Sequence, residues 1–92
     1  MGKRMLLREL GILAAEVAFA SIRLDDALIA RRGRRSTLNR AQKDGEDDLL
    51  LDRCRREYLE KCREVKIARY VWRKHMHQFK LIARKHGYHT ID

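Results

Sequence analysis

Proline is absent from this sequence, and only five glycines occur in its 92 residues. Sandwiches and barrels of short strands need frequent turns, which Pro and Gly usually supply. Long apolar runs are also missing, because the longest mostly apolar stretches, residues 10–15 and 17–22, contain six residues each. A membrane-spanning helix needs about 20 consecutive apolar residues. The sequence therefore argues against a β-rich fold and a membrane span, and it favours an all-α protein.

Cysteine is scarce as well. Cys54 and Cys62 are the only two, and on one helix they would lie about 12 Å apart along its axis. An intrachain disulfide cannot close that distance. We therefore expect a reducing compartment, which means the cytoplasm, with an organellar matrix as the alternative.

Motifs for catalysis and for metal binding are missing too. The chain contains no Gly-rich phosphate loop and no Ser/His/Asp arrangement that a small helical protein could assemble. Its four histidines, His75, His77, His86 and His89, follow Cys54 by more than 20 residues. Zinc modules instead place their ligands close together in compact loops. We expect no enzyme activity, no cofactor and no metal.

Charge, in contrast, is abundant. The chain has 22 Lys and Arg against 13 Asp and Glu, a formal net charge of +9, and 45% of its residues are hydrophobic. That apolar content is enough for a folded chain, and the length allows one domain over residues 1–92. A basic balance of this size points to a polyanionic partner such as nucleic acid.

The first segment predicts a helix over about residues 3–32. One apolar row recurs at steps of three and four and consists of Leu6, Leu10, Leu13, Val17, Ala20, Leu24 and Leu28. A second row of Met5, Ile12, Phe19 and Ile22 widens the apolar surface, so we expect this helix to be covered on more than one side. Gly33, which follows two arginines, suits a C-terminal cap.

Residues 33–45 are predicted as a basic loop with room for one short helical turn over about 36–43. A longer helix is predicted over about 46–86, because acidic residues stand at its start and Gly87 follows its end. Its apolar row keeps coiled-coil-like spacing for about four heptads. That row comprises Leu51, Cys54, Tyr58, Cys62, Val65, Ala68, Trp72, Met76 (or His75), Phe79 and Ile82.

Two long helices with a short connection predict an antiparallel hairpin. On these boundaries the second helix is about 11 residues longer than the first, so residues 74–86 are expected to overhang by roughly 16 Å. A hairpin has only one seam and cannot bury both apolar rows of its first helix. We therefore expect dimerisation or a partner to complete the fold.

Basic residues recur along the last part of the second predicted helix, at steps of three and four: Lys66, Arg69, Arg73, His77, Lys80 and Arg84. Cations repeated in this way can neutralise successive phosphates, although complementation of the helix dipole is the plainer interpretation. Tyr70, Trp72 and Phe79 interleave with these cations. We identify these aromatics as candidate partner-binding residues, with membership of the apolar row as the alternative for Trp72 and Phe79.

A second basic group, called here the arginine cluster, contains Arg31, Arg32, Arg34, Arg35 and Arg40. Arginines in a loop can hold a phosphate backbone through bidentate contacts, or they can simply keep a small protein solvated. The cluster falls at the opposite end of the predicted hairpin from residues 74–86. The sequence leaves open whether the two basic groups bind one extended strand or separate ligands.

These features favour a small basic nucleic-acid-associated binding protein that contacts the phosphate backbone and has no base-specific motif. A second hypothesis is a protein–protein adaptor or inhibitor that docks on a larger nucleic-acid-processing enzyme or complex. A third is a structural subunit of a ribonucleoprotein or organellar assembly. No motif distinguishes DNA from RNA, and a homodimer or an obligate complex is compatible with each hypothesis.

Overall fold

Two long helices joined by a tight turn form the described chain. The computed structural model describes residues 3–87, and the side chains of residues 7–87. Helix α1 spans Lys3–Lys43, with 41 residues, and helix α2 spans Asp48–Lys85, with 38 residues. They pack antiparallel into a hairpin of 66 × 20 × 13 Å. No strand occurs among the described residues, and the predicted all-α hairpin is confirmed.

Two contacts between the helices define how they are aligned. Arg34 Nη1 lies 2.9 Å from Glu57 Oε2, and His75 Nδ1 lies 3.2 Å from Glu16 Oε2. Both contacts join positions whose numbers add to 91. The same rule therefore tells which part of α2 lies beside any part of α1.

The seam between the helices is built from the first predicted row of α1, which begins at Leu6, and the predicted apolar row of α2, whereas the described members of the second α1 row, Ile12, Phe19 and Ile22, are exposed. Every described member of the two rows in the seam is at least half-buried; Leu6 falls outside the described side chains. Full burial is rare, and among the described residues it is reached only by small side chains: Ala20, Ala41, Cys54, Val65 and Ala83. Val65, at 1% exposure, is the largest fully buried one. A single layer of contacts thus holds the hairpin together.

The predicted basic loop over residues 33–45 is wrong, because α1 continues through Gly33 to Lys43. A glycine inside a helix costs only about 1 kcal/mol relative to alanine. That cost is offset here by packing beyond Gly33. Leu38 is half-buried and Ala41 is buried, so the apolar row of α1 remains in contact with α2 up to the turn. The Arg34–Glu57 contact adds a polar link across the seam in the same stretch.

The C-terminal cap assigned to Gly33 is instead provided by Gly45, which has a φ of 67°. The Glu46 N–H donates to the Ala41 carbonyl at 3.1 Å, and the Gly45 N–H donates to the Gln42 carbonyl at 3.3 Å. This pair of hydrogen bonds is the Schellman motif, which needs a residue in the left-handed region. Gly45 adopts that conformation without a steric penalty, so the chain turns there.

The boundaries of α2 agree with the prediction to within two residues. The Asp47 carboxylate accepts a hydrogen bond from the Leu50 N–H at 2.8 Å, which caps the first turn. Gly87, with a φ of 83°, follows the last turn. The acidic residues before the apolar row and the glycine after it therefore mark the two ends of this helix correctly.

The predicted overhang of residues 74–86 is also wrong. Because α1 is longer than expected, the helices have nearly equal lengths. His75 lies beside Glu16, and Ala83 is only 2% exposed. The C-terminal part of α2 is therefore covered by the N-terminal part of α1.

The predictions about the cysteines and about membrane-spanning segments can also be compared with the structure. Cys54 and Cys62 are both free, as their separation along one helix requires. Within residues 3–87, neither helix contains an apolar segment long enough to cross a membrane.

Candidate nucleic-acid interface

The basic residues of α2 form a line beside the seam. This line, called the basic edge, consists of Lys66, Arg69, Arg73, Lys80 and Arg84. The helix is unbroken from Asp48 to Lys85, so steps of three and four keep these side chains on one side of it. From the first to the last, the basic edge extends about 27 Å.

The opposite side of the seam has a different character. Successive helical residues are rotated by about 100°, so Lys66 and Glu64 lie on opposite sides of the buried Val65. The side that contains Glu64 also contains the two contacts between helices, Arg34–Glu57 and His75–Glu16. We call it the paired edge, and its acidic side chains leave it far less basic than the other.

Exposure and ion pairing distinguish the members of the basic edge. Lys66, Arg73 and Arg84 are exposed, whereas Arg69 and Lys80 are half-buried. Among residues 7–87, no ion pair is recorded for Lys66, Arg69 or Arg73. Their positive charge is therefore uncompensated by direct contacts and available to an anionic ligand.

The arginine cluster is helical, and its members do not share one side of α1. Arg34 points toward Glu57 on the paired edge. Arg35 is rotated about 100° from Arg34 toward the other side of the seam, and Arg32 lies one turn before Arg35. Both are exposed, as is Arg40, while Arg31 is half-buried. Arg32 and Arg35 therefore lie on the same side of the hairpin as the basic edge.

Together these residues make a longer basic surface. By the register of the hairpin, Arg35 lies beside position 56 of α2, about 15 Å from Lys66 toward the turn. The line from Arg35 to Arg84 is then about 42 Å long. The structure thus brings Arg32 and Arg35 into line with the basic edge, together with the half-buried Arg31 one turn before Arg35, and it leaves Arg34 and Arg40 elsewhere.

The three candidate aromatics differ in position. Tyr70 is 69% exposed and lies on the outer surface of α2 beside the basic edge. Trp72 and Phe79 are half-buried and belong to the seam. Of these three aromatics, Tyr70 is therefore the one whose ring is exposed to solvent. The histidine His89 falls outside the described residues.

A shallow apolar groove of about 200 Å³ lies between the helices on the paired edge. Ala20 and Ala68 both line it, and their small side chains leave the space that Ile67 and Val71 border. Arg23 and Glu64 stand at its margin. The sequence interpretation missed this groove, although an alanine in each apolar row, Ala20 and Ala68, is the signal that could have indicated it.

His75 lies close to a carboxylate on the other helix. Its Nδ1 lies within ion-pair distance of Glu16, at 3.2 Å, but the geometry does not make a hydrogen bond, and the buried Nδ1 has no hydrogen-bond partner. Within the described part of the chain, no three His, Cys, Asp or Glu side chains are placed to hold a metal ion.

Comparisons with protein-family models, with curated protein sequences and with solved structures find no match to this chain. Its candidate function consequently depends on the surface described above.

Proposed function

We propose that this chain is a small helical nucleic-acid-associated binding protein that contacts the phosphate backbone through its basic edge. The observation that carries the proposal is the concentration of cations on one side of the seam. Lys66, Arg69 and Arg73 make no ion pair within the described residues. The ion pairs between helices fall on the other side.

The length of this surface suits a polyanion. With Arg32 and Arg35 it extends about 42 Å, which exceeds one turn of duplex, about 34–36 Å. Contacts to phosphates position a protein on nucleic acid but carry no sequence information. We therefore expect binding that depends on salt and is largely independent of sequence.

Tyr70 adds a means of distinguishing single strands from duplexes. Its ring is 69% exposed and lies beside the cations of the basic edge. Exposed aromatic rings next to cations stack on unpaired bases. Substitution Tyr70→Ala should then weaken binding to single strands more than binding to duplexes.

The experiment compares two triple variants that remove the same charge. One is Lys66→Gln, Arg69→Gln and Arg73→Gln on the basic edge. The control is Arg23→Gln, Arg40→Gln and Arg53→Gln, which lie off that edge. Fluorescence anisotropy with labelled duplex DNA, duplex RNA and single strands is recorded from about 50 to 300 mM salt. For the first variant, each lost phosphate contact should reduce the salt slope on duplex DNA by about 0.9.

The control should retain most of the wild-type slope, because removing net charge alone does not remove phosphate contacts. Equal losses in the two variants would mean that the chain attracts nucleic acid only through its overall charge. That result would contradict a binding function for the basic edge. Circular dichroism of both variants confirms that the helices are intact.

A second candidate function is an adaptor or inhibitor that docks on a larger nucleic-acid-processing protein. It is favoured by the apolar side chains on the outer surface of α2, where Ile67, Tyr70 and Leu81 are 59%, 69% and 51% exposed. Protein interfaces concentrate their binding energy in aromatic anchors, whereas phosphate contacts distribute it. Tyr70→Ala would then weaken complex formation more than Arg69→Gln or Arg73→Gln.

A structural subunit of a ribonucleoprotein or organellar assembly would combine both types of contact. A reducing compartment suits the free cysteines under each of the three candidate functions.

A further inference from the structure

The hairpin exposes far more surface than a compact protein of its mass. Its accessible area is 7660 Å² for 11.0 kDa, whereas about 5,600 Å² is typical. Its radius of gyration is 19.6 Å, against about 12 Å for a compact chain of this length. The excess, roughly 2,000 Å², is more than the approximately 800 Å² that each partner buries in a standard interface. The chain therefore has enough spare surface for a stable dimer.

Much of the exposed apolar surface of α1 lies on its outer side and toward the paired edge. Ile12, Phe19, Ile22 and Ile29 are 57%, 67%, 57% and 65% exposed. They belong to a line whose steps alternate between four and three, the spacing of a coiled-coil seam. We call this line the outer stripe, and it comprises Arg8, Ile12, Ala15, Phe19, Ile22, Asp26 and Ile29.

The outer stripe is complementary to itself when its direction is reversed. Rotation about position 17 brings Ile12 opposite Ile22 and the large Phe19 opposite the small Ala15. The same rotation brings Arg8 opposite Asp26. The two charged residues of the stripe thus each meet a charge of opposite sign on the other copy, and the apolar residues between them meet one another. A parallel copy would instead place like charges together.

We propose that α1 pairs antiparallel with α1 of a second copy of this chain through the outer stripe. Arg8 and Asp26 are both exposed, and neither takes part in an ion pair within residues 7–87. Gly11, beside the stripe, has no atom within 4 Å of the position that a Cβ would occupy. The backbone there is open to the close approach of another helix.

This pairing leaves the candidate nucleic-acid interface uncovered. Ile22 lies about 200° around α1 from the buried Ala20, and Phe19 lies about 100° from it, where it borders a groove with Val71 and His75. The outer stripe therefore covers the outer surface of α1 and part of the paired edge, on the opposite side of the seam from the basic edge. The basic edge is on α2, beside the seam. The dimer is therefore independent of the proposed nucleic-acid binding, and either inference can fail without the other.

The experiment is a charge exchange followed by sedimentation equilibrium at about 0.15 M salt. Nuclease-treated protein is used, and the absorbance ratio at 260 and 280 nm verifies that no nucleic acid remains. The wild-type chain should be a dimer. Arg8→Glu alone and Asp26→Arg alone should each weaken the dimer about tenfold, because two attractive contacts become repulsive.

Mixing the two single variants should restore a dimer, since Glu at position 8 of one chain then faces Arg at position 26 of the other. The double variant Arg8→Glu with Asp26→Arg should also dimerise like the wild type. Arg40→Glu is the matched control, because it makes the same change of charge on α1 beyond the paired length. It should leave the dimer unchanged.

A wild-type chain that remains monomeric up to about 100 μM would overturn the proposal. A dimer that is indifferent to the single exchanges, or that fails to recover in the mixture, would overturn it as well. Because the mixture tests recovery, a single variant that simply folds poorly cannot be mistaken for support.

Discussion

The two helices are nearly equal in length but differ in how their apolar residues are distributed. Helix α2 has one apolar row facing α1, and charged residues occupy most of its remaining surface. In α1 the only charged residue between Leu10 and Ile22 is Glu16, so apolar side chains surround the helix in that stretch. One neighbouring helix is enough to bury the apolar face of an amphipathic helix, whereas a helix that is apolar all round needs more than one neighbour to bury its apolar surface. One hairpin therefore combines a helix whose exposed apolar residues, such as Ile67 and Leu81, stand among charged residues with a helix that has a continuous apolar surface on its uncovered side.

The largest expected effect tests the one-sided burial of α2. Val65→Asp should lower the free energy of unfolding by about 3 kcal/mol or more, because Val65 is 1% exposed and a buried carboxylate has no partner there. Ile67→Asp places the same group two residues further on, at a 59% exposed position. It should change the stability by less than about 1 kcal/mol.

Urea denaturation followed by circular dichroism at one protein concentration measures both variants. A fixed concentration is needed because dimerisation would make the stability depend on it. Similar losses for Val65→Asp and Ile67→Asp would mean that the outer surface of α2 is also buried. The comparison between the helices would then be wrong.

The next effect tests the second side of α1. Ile22→Asp should weaken self-association about a hundredfold, roughly 2.7 kcal/mol. Ile22 is exposed in the single chain and would be buried in the dimer, so the substitution removes two buried isoleucines from each dimer. Leu81→Asp makes the same kind of change on the outer surface of α2, where Leu81 is 51% exposed, and should leave self-association unaltered. Sedimentation equilibrium measures both. The reverse pattern would assign the self-association surface to α2.

The smallest effect concerns where α1 ends. Gly45→Ala should lower the free energy of unfolding by about 1 kcal/mol, because its φ of 67° is unfavourable for any residue with a Cβ. Gly33→Ala should instead raise it by up to about 1 kcal/mol, because Gly33 is inside the helix and has open space around it. Thermal unfolding gives both signs. A loss for Gly33→Ala would support a helix end at that residue.

These three tests also mark what the sequence can predict. The apolar rows that form the seam are local features, because their steps of three and four can be read directly from the sequence. The limits of α2 are local as well, since the acidic residues before Asp48 and the glycine Gly87 mark them. The end of α1 is not local, because Arg31, Arg32 and Gly33 resemble a helix terminus. The choice between Gly33 and Gly45 depends on Leu38 and Ala41 packing against α2.

The candidate site follows the same division. The regular spacing from Lys66 to Arg84 predicts a basic line on one helix, and the unbroken α2 contains it. Which arginines of the cluster join that line depends on the register and on the continuation of α1 past Gly33. Arg34 and Arg35 are adjacent in sequence, yet one contacts Glu57 and the other lies on the opposite side of the seam. Such a distinction requires three-dimensional information.

The central claim is that the basic edge binds phosphates, and the most direct test is the salt dependence of wild-type binding to duplex DNA. If all five cations of the basic edge contact phosphates, the logarithm of the binding constant should fall with the logarithm of the salt concentration with a slope of about −4 to −5. A slope near zero would contradict the account, because a complex without salt dependence does not depend on phosphate contacts.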